Sequence, residues 1–331
     1  MRVVAAPDKF RGTASARDVA AAIARAAVAR GWECDEVPLA DGGEGTLDAL
    51  GGPNRSTLVT DPLGDPIEAV WRHDRGRAVI EMARASGLEL VGGAEGNDPM
   101  AASTYGTGEL ISAALDGGVR RIVVGVGGSA TTDGGLGAVR ALYPVHRLKG
   151  VELLVGCDVE TRFVDAADTF APQKGATPAQ VELLRRRLER LAQVYLEDFG
   201  VDVRGLEGGG AAGGLAGGLV AVGARLVPGF DLVADELDLL ATIEGADLVI
   251  TGEGFLDAQS FAGKVVGGVA ETAASVGVPV VAIVVRVFDD EVVRGRLPAV
   301  SLVDRFGEHR AFKETLACIE EAAAGLLAVR G

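Results

Sequence analysis

Glycine and hydroxyl residues are concentrated between positions 127 and 137, directly after an apolar, β-branched stretch at 121–126. Glycine lets a backbone approach a ligand closely, and the first amides of a helix offer unpaired N–H groups to an anion. The segment therefore predicts a cradle for a phosphate or carboxylate group, with Asp133 beside it as a candidate proton acceptor. The residues expected to contact the anion are Gly127, Gly128, Ser129, Ala130 and Thr131.

The pattern Asp-Gly-Gly-x-Gly-x-x-x-Ala-Leu occurs twice, at residues 41–50 and at residues 133–142. An anion-binding turn is one interpretation of each copy, and a glycine-rich turn that only begins a helix is the other. Because the pattern recurs, the first interpretation is favoured.

Acidic residues end four apolar stretches that have the pattern of β-strands. They are Asp8, Asp41, Asp158 and Glu253. Ligands of open parallel sheets bind at the carboxyl ends of the strands, so we expect these side chains to converge there, joined by Asp133 and Asp257. Clustered carboxylates repel one another unless a cation or a shared proton is present, and oxygen ligands beside a phosphate cradle indicate Mg²⁺. Each acid could instead cap a helix, which is a common role of aspartate.

Other phosphate-binding motifs fit less well. A P-loop is excluded because the residues around Lys264 lack the required glycine and hydroxyl positions. Residues 125–130 satisfy a dinucleotide-binding fingerprint, but Asp158, the acid that ends the next strand, lies 28 residues beyond Ala130 instead of about 20. An NAD-dependent dehydrogenase is therefore the weaker alternative.

Apolar stretches with the period of strands alternate with amphipathic helical periods along most of the chain, which predicts an α/β fold. Alternating stretches on both sides of residues 74–76 predict a hairpin. A length of 331 residues suggests two domains of about 150 residues each. We expect a parallel-sheet α/β domain from residues 1–60 and 245–331. Residues 61–244 would form an inserted α/β domain with the hairpin and the glycine-rich phosphate loop.

Two shorter stretches bear on the site. Residues 37–40, which lead to Asp41, predict a strand. Residues 208–218 are dense in glycine, which indicates either a helix packed very closely on its neighbour or a loop over a ligand.

Composition excludes several functional classes. A net charge of −15 repels nucleic acid and anionic membranes, so the expected partners are small molecules and not nucleic acid or a membrane. Three widely separated cysteines favour reduced thiols over a disulfide framework. No apolar stretch is long enough to span a bilayer, and we expect a cytoplasmic protein.

Taken together, the motifs resemble those of the bacterial glycerate kinase family. They run in the family's order from residue 2 to about residue 285 and include Asp-Lys-Phe-Arg-Gly at 8–12, Ala-Asp-Gly-Gly-Glu-Gly-Thr at 40–46, Gly-Gly-Ser-Ala-Thr-Thr-Asp-Gly-Gly at 127–135 and Ile-Thr-Gly-Glu-Gly at 250–254. The resemblance implies two α/β domains, one with a Rossmann/flavodoxin-like parallel sheet, and an active site in the cleft between them. It also implies the transfer of the γ-phosphoryl group of ATP, with Mg²⁺, to a hydroxyl group of D-glycerate, which gives 2-phosphoglycerate.

The resemblance and the residue chemistry together assign roles to individual side chains. The catalytic residues would be Asp133, Asp158 and Lys9. The substrate would contact Asp8, Arg11, Asp41, Glu44 and Ser86. The phosphate groups of the nucleotide would contact Gly127, Gly128, Ser129, Ala130, Thr131 and Lys264, and Mg²⁺ would bind Glu253 and Asp257.

Three departures from the family pattern bear on the substrate. Phe255 stands where the family usually has arginine after Gly-Glu-Gly, residues 143–170 are compressed, and residues 285–286 replace an expected Ala-Gly. The alternatives are therefore a kinase for another small hydroxy acid, a kinase that forms 3-phosphoglycerate, or a catalytically idle homologue that only binds a ligand. The chain is expected to be a monomer or a homodimer.

Overall fold

The computed structural model describes residues 1–10, 12–288, 293 and 295–328. The chain divides into two compact units. The terminal unit consists of Met1–Asp41, Asp48–Leu50 and Phe230–Gly331, and the central unit consists of Gly42–Leu47 and Gly51–Gly229. The domain boundaries expected from the sequence, after residues 60 and 244, lie further along the chain than the ends of these units.

The described residues form eleven strands, numbered in chain order. They are β1 (Arg2–Pro7), β2 (Glu33–Glu36), β3 (Arg55–Thr60), β4 (Pro66–Asp74), β5 (Arg77–Glu81), β6 (Arg121–Gly125), β7 (Glu152–Gly156), β8 (Arg225–Val227), β9 (Leu248–Leu256), β10 (Val280–Val287) and β11 (Ala299–Ser301).

The described residues also form fifteen α-helices. They are α1 (Ala16–Ala29), α2 (Thr46–Ala49), α3 (Ala83–Ser86), α4 (Gly93–Gly96), α5 (Tyr105–Asp116), α6 (Leu136–Ala141), α7 (Ala166–Phe170), α8 (Pro178–Phe199), α9 (Leu215–Ala221), α10 (Gly229–Glu236), α11 (Leu239–Ile243), α12 (Val265–Ser275), α13 (Leu302–Phe306), α14 (Glu308–Lys313) and α15 (Thr315–Ala328). Within this part of the chain, no helix is both long enough and apolar enough to cross a membrane.

The terminal unit is built around a five-stranded parallel sheet in the order β11-β10-β9-β1-β2. Strands of such a sheet are covered on both faces and therefore carry continuous apolar stretches. In β10, Val281, Ile283 and Val285 pack in a core with α1 and α15, whereas Ala282 and Val284 pack in a separate core with α12. The predicted α/β fold with a parallel sheet is confirmed.

The register of this sheet places two of the predicted acids close together. Pro7 at the end of β1 lies opposite Gly252 of β9, and the Asp8 amide donates a hydrogen bond to the Gly252 carbonyl over 2.8 Å. Asp8 and Glu253 each follow these paired positions. Both acids therefore lie toward the carboxyl ends of neighbouring strands, as expected.

The prediction of a strand at residues 37–40 is wrong. The strand in this region is β2, which ends at Glu36, immediately before the predicted stretch. Pro38 has no N–H group to donate to a ladder. The stretch nevertheless follows β1, since the amides of Val37 and Leu39 donate to the carbonyls of Ala5 and Pro7 over 2.8 and 2.9 Å. This path leads the chain to Asp41.

The central unit contains a six-stranded sheet in the order β3-β4-β5-β6-β7-β8. The pairs β3–β4 and β4–β5 are antiparallel, and the pairs from β5 to β8 are parallel. The predicted hairpin is confirmed, because Asp74 of β4 pairs with Arg77 of β5. The two residues between them, Arg75 and Gly76, have φ angles of 48° and 82°, as a tight hairpin turn of this kind requires.

Residues 208–218 form the close packing that was one of the two alternatives expected for them. A Cβ atom on Gly218, within α9, would lie 2.5 Å from the carbonyl oxygen of Gly134. Gly213 has a φ angle of 67°, and a Cβ atom there would lie 1.9 Å from the carbonyl oxygen of Thr131. Only glycine fits at these positions. The backbone of α9 and of the turn before it therefore packs directly against the backbone of residues 131–135.

Candidate active site

Four of the predicted acidic residues line one cavity in the terminal unit, together with two lysines. The cavity has a volume of about 210 Å³. The residues that line it are Asp8, Lys9, Asp41, Glu253, Gly254, Phe255, Asp257, Gln259, Ser260 and Lys264. The convergence of acids expected from the strand ends is therefore found within this unit for Asp8, Asp41 and Glu253.

Asp8 is the acid with the most strongly perturbed pKa of the cavity. Burial, and after it the negative charges of Asp41 and Glu253, raise the pKa of this carboxyl group from 3.8 to about 7. The hydrogen bond from the Lys9 amide to Asp8 Oδ1, 2.7 Å long, acts in the opposite direction. A carboxyl group with a pKa near 7 can take up and release a proton at neutral pH, as a general base must.

Glu253 carries the clearest sign of a missing partner. Burial raises the pKa of its carboxyl group, while the Ser260 hydroxyl and the Lys264 charge oppose that shift. Its Oε1 atom is buried and has no hydrogen-bond partner. Buried polar atoms in folded proteins are almost always satisfied, so this oxygen is suited to a ligand that the protein binds.

Asp257 has the structural role that was the alternative for each acid. Its Oδ1 atom accepts hydrogen bonds from the amides of Gln259 and Ser260, 2.8 and 3.2 Å long, and so caps the short helical turn Ala258–Phe261. Within the described residues, no three His, Cys, Asp or Glu side chains form a group that could hold a metal ion. Mg²⁺ often binds only one or two carboxylates and completes its shell with water and substrate phosphates. The unpartnered oxygen of Glu253 fits that mode of binding.

One aromatic side chain, that of Phe255, forms part of the cavity wall. Phe255 is 40% exposed, and its ring centroid lies 5.7 Å from that of Phe288, which is 48% exposed. The position where the family resemblance leads us to expect an arginine is therefore apolar in this chain. Arg11, the other arginine predicted for the substrate, lies outside the described residues.

The predicted anion cradle, residues 127–131, is here called the glycine–hydroxyl segment. It follows β6 in the central unit, and Gly128 has a φ angle of 65°. The Ala130 amide donates a hydrogen bond to the Ser86 carbonyl over 3.0 Å, so this amide is not available to an anion, contrary to the prediction. Ser86 is fully buried, and its hydroxyl bonds to that of Thr107 over 2.8 Å. Ser86 therefore supports the segment and does not face a ligand.

Lys174 is the functional candidate that sequence reasoning did not select. Its Nζ atom donates hydrogen bonds to Ser129 Oγ and to the Thr131 carbonyl, 2.7 and 2.6 Å long, and the side chain is 3% exposed. Burial lowers the pKa of this amine to about 7, against the opposing charge of Asp133. The hydroxyl groups of Thr131 and Thr132 are buried without a partner. The one signal in the sequence was the position of Lys174 next to Gly175.

Asp133 is held by backbone and side-chain donors of its own unit. Its Oδ2 atom accepts hydrogen bonds from the Thr104 amide, the Thr104 hydroxyl and the Gly137 amide, 2.8 to 3.1 Å long. Its Oδ1 atom accepts one from the Gly135 amide, 3.0 Å long. Four donors of the protein therefore already occupy the two oxygens of this carboxylate. This environment favours a structural role at the starts of α5 and α6 over the proton-accepting role predicted for it.

The comparisons with known proteins agree on one family. The profile of the glycerate kinase family matches residues 3–145 and 143–329. The chain belongs to this family. A glycerate 2-kinase from Escherichia coli is 40% identical over 330 residues, which cover 88% of this chain and 86% of the relative. A glycerate kinase from Halalkalibacterium halodurans is 41% identical over 85% of this chain and 84% of the relative. The crystal structure of a protein assigned as glycerate kinase 2 from Salmonella typhimurium LT2 matches with a TM-score of 0.86, 37% identity and coverage of 100% of this chain and 98% of that one.

In this member of the glycerate kinase family, the remaining predicted residues belong to the central unit. The Asp158 carboxylate accepts a hydrogen bond from the Gly229 amide, and Glu44 is exposed. Sequence reasoning also missed Glu81, whose Oε1 atom accepts hydrogen bonds from the amides of Gly45 and Leu47, each 2.8 Å long. This buried glutamate fixes the turn of the first Asp-Gly-Gly-x-Gly copy.

Proposed function

We propose that this chain transfers the γ-phosphoryl group of ATP to the 2-hydroxyl group of D-glycerate and so forms 2-phosphoglycerate. The observation that carries the proposal is the cavity of the terminal unit, in which four carboxylates and two lysines surround a small volume. Its size and charge suit a small hydroxy acid together with phosphate oxygens and a cation. Membership of the glycerate kinase family supports the same chemistry.

Asp8 is the residue we propose to accept the proton of the substrate hydroxyl. The pKa of about 7 keeps a large fraction of this carboxyl group ionised at neutral pH, yet makes it a stronger base than an ordinary aspartate. Asp41 would help to orient the substrate, since its charge acts on both Asp8 and Glu253. This assignment replaces Asp133, whose carboxylate is already bound by four donors.

Glu253, with Asp41 beside it, is the side chain we propose to hold Mg²⁺. The buried, unpartnered Oε1 atom of Glu253 supports this assignment. When bound, Mg²⁺ would neutralise the charge that collects on the phosphate oxygens during transfer. Asp257 would contribute less than predicted, because Oδ1 is already engaged in its helical cap.

Lysine side chains and backbone amides are proposed to neutralise the remaining negative charge. Lys9 and Lys264 lie in the cavity with the acids and can contact phosphate or the substrate carboxylate. In the glycine–hydroxyl segment, the amides of Gly127, Gly128 and Ser129 remain the candidates for phosphate contact. Phosphoryl transfer depends mainly on such positioning and charge neutralisation.

Phe255 favours one second candidate substrate. Its ring, which packs on that of Phe288, gives the cavity an apolar wall where a charged donor is expected in the family. A 2-hydroxy acid with an apolar substituent, such as D-2-hydroxybutyrate, would fit that wall better than D-glycerate does. A higher kcat/KM for D-2-hydroxybutyrate than for D-glycerate would establish this alternative.

The decisive test is incubation of the full chain with ATP, Mg²⁺ and D-glycerate, followed by ³¹P NMR of the product. We expect 2-phosphoglycerate, and no product from the Glu253→Gln variant. The Glu271→Gln variant serves as a matched control, because Glu271 is exposed on α12 and lies outside the cavity. Formation of 3-phosphoglycerate would correct the site of transfer. Thermal stabilisation by ATP or D-glycerate without any product would identify an idle homologue and refute the proposal.

A further inference from the structure

A second cavity, larger than the acidic one, lies within the central unit and shares no lining residue with it. Its volume is about 780 Å³, within the range of roughly 300–1,000 Å³ that is usual for small-molecule sites. One face of α8, the first residues of α5 and α6 and residues 99–103 surround it. Its floor is apolar, since Leu184, Leu188 and Leu191 contribute to the lining and are at most 8% exposed.

The rim of this cavity is strongly basic, although the chain has a net charge of −15. Four arginines line it, three of them on α8: Arg140, Arg186, Arg187 and Arg190. The one acid in the lining is Asp133, whose oxygens accept four hydrogen bonds from the protein itself.

The charges of two of these arginines are available to a ligand. Arg186 forms an ion pair with Glu182 over 2.8 Å, and Arg190 lies 3.9 Å from Glu197. Arg187 donates a hydrogen bond to the Met100 carbonyl, 2.9 Å away. Within the part of the chain that the structure describes, neither Arg140 nor Arg187 forms an ion pair with a carboxylate.

We propose that this cavity binds a nucleoside phosphate, with the base on the leucine floor and the phosphate groups against the arginines. An apolar floor beside several cations fits a molecule that has a flat apolar part and more than one negative charge. One guanidinium group can donate two parallel hydrogen bonds to the oxygens of a phosphate group. A ligand with a single carboxylate would neutralise less of the positive charge of the arginines than a ligand with several phosphate groups. The ring of Tyr105, 40% exposed at the edge of the cavity, can stack on a base.

The position of the cavity connects its ligand to the glycine–hydroxyl segment. Thr132 and Asp133, which also line it, directly follow that segment in the chain. The bonds of Asp133 to Thr104 and Gly137 hold the beginnings of two helices at the cavity wall. The nucleotide is therefore either the ATP of the proposed reaction or a separate regulatory nucleotide, and the two share the same recognition chemistry.

The test is a fluorescence titration of the full chain with the nucleotide mant-ADP, which requires no turnover. We expect Arg140→Ala and Arg187→Ala each to weaken binding by about tenfold, the usual effect of losing a hydrogen bond to a charged group. The matched control is Arg185→Ala, on the same helix but outside the lining and paired with Glu182, for which we expect a change of less than about twofold. Leu183→Trp fills the half-exposed edge of the cavity without a change of charge and should also weaken binding.

The proposal is overturned if mant-ADP does not bind the wild-type chain. It is equally overturned if both cavity variants bind mant-ADP as tightly as Arg185→Ala does, since the nucleotide would then bind elsewhere. Kinetics distinguish the two sources of the ligand. A KM for ATP that rises in parallel with the Kd for mant-ADP identifies the substrate nucleotide, and this arm rests on the proposed function. An unchanged KM identifies a second nucleotide. If the chain binds mant-ADP in a way that depends on these arginines but has no kinase activity, the cavity is a nucleotide-binding site and the proposed function is refuted.

Discussion

Replacing Asp8 with asparagine is expected to stabilise the protein at alkaline pH while it removes activity. The Asp8 carboxyl group has a pKa of about 7 when folded and 3.8 as a free side chain. The wild-type protein therefore becomes less stable as the pH rises from about 4 to 7, because folding opposes the loss of this proton. Above pH 7 the folded protein bears the full cost of burying the ionised Asp8 carboxylate, and this loss of stability no longer changes with pH. Asparagine keeps the acceptor for the Lys9 amide but carries no charge.

The size of the effect follows from the pKa difference. About three pKa units correspond to an upper limit of about 4 kcal/mol, at 1.36 kcal/mol per unit. Water penetration and movement of Lys9 and Lys264 screen a charge in a cavity, so we expect a gain of about 1–2 kcal/mol at pH 8. For a protein of this size that gain raises the melting temperature by about 2 °C.

Differential scanning calorimetry at pH 4.5 and pH 8 is the assay. The variant should gain stability mainly at pH 8, and its kcat should fall by about 100-fold or more if Asp8 accepts the proton. Glu271→Gln, which removes an exposed carboxylate from the same unit, should show neither effect. An Asp8→Asn protein that melts at the wild-type temperature at pH 8 would refute the argument that burial and like charges perturb this group.

Three further substitutions test the central unit. Lys174→Met leaves two buried acceptors without their donor. Thermal denaturation should show that the free energy of unfolding falls by about 1–3 kcal/mol. An unchanged free energy of unfolding would contradict the hydrogen bonds described. Because the role of Asp133 is structural, Asp133→Asn should lower the free energy of unfolding by about 2 kcal/mol and keep kcat within about tenfold of the wild-type value. A large fall in kcat without a loss of stability would instead identify Asp133 as the proton acceptor. Gly213→Ala should cost more than about 3 kcal/mol in urea denaturation, since its Cβ would collide with the Thr131 carbonyl, while Gly205→Ala, with open space around it, should stay within about 0.5 kcal/mol.

The sequence allowed us to predict the location of those acids whose position depends only on the direction of a strand. Asp8 and Glu253 each follow an apolar stretch, and parallel pairing alone brings the ends of such stretches to one edge. Asp158 has the same kind of sequence context, but it belongs to the central unit, as Asp133 does, and neither lines the acidic cavity. The sequence pattern gives the direction of a strand and does not reveal which sheet the strand will join.

The residues that escaped prediction depend on tertiary packing. Lys174 is distant in sequence from Ser129, and nothing local indicates that its amine is buried beside that hydroxyl. Glu81 ends β5 as an acid that looks like a site residue but binds backbone amides of another loop. The strand expected at 37–40 failed for a local reason, because Pro38 cannot join a ladder.

The order of strands in the terminal unit has a consequence for synthesis on the ribosome. β1 lies between β2 and β9, yet Leu248, where β9 begins, is translated long after Pro7. At roughly 5–20 residues per second, the apolar β1 waits about 10–50 s for its neighbour. All strands of the central sheet emerge within that interval and can assemble first. A nascent chain that stops before residue 248 would therefore carry an exposed, aggregation-prone strand at its amino terminus, and chaperones would have the greatest effect on yield during this interval.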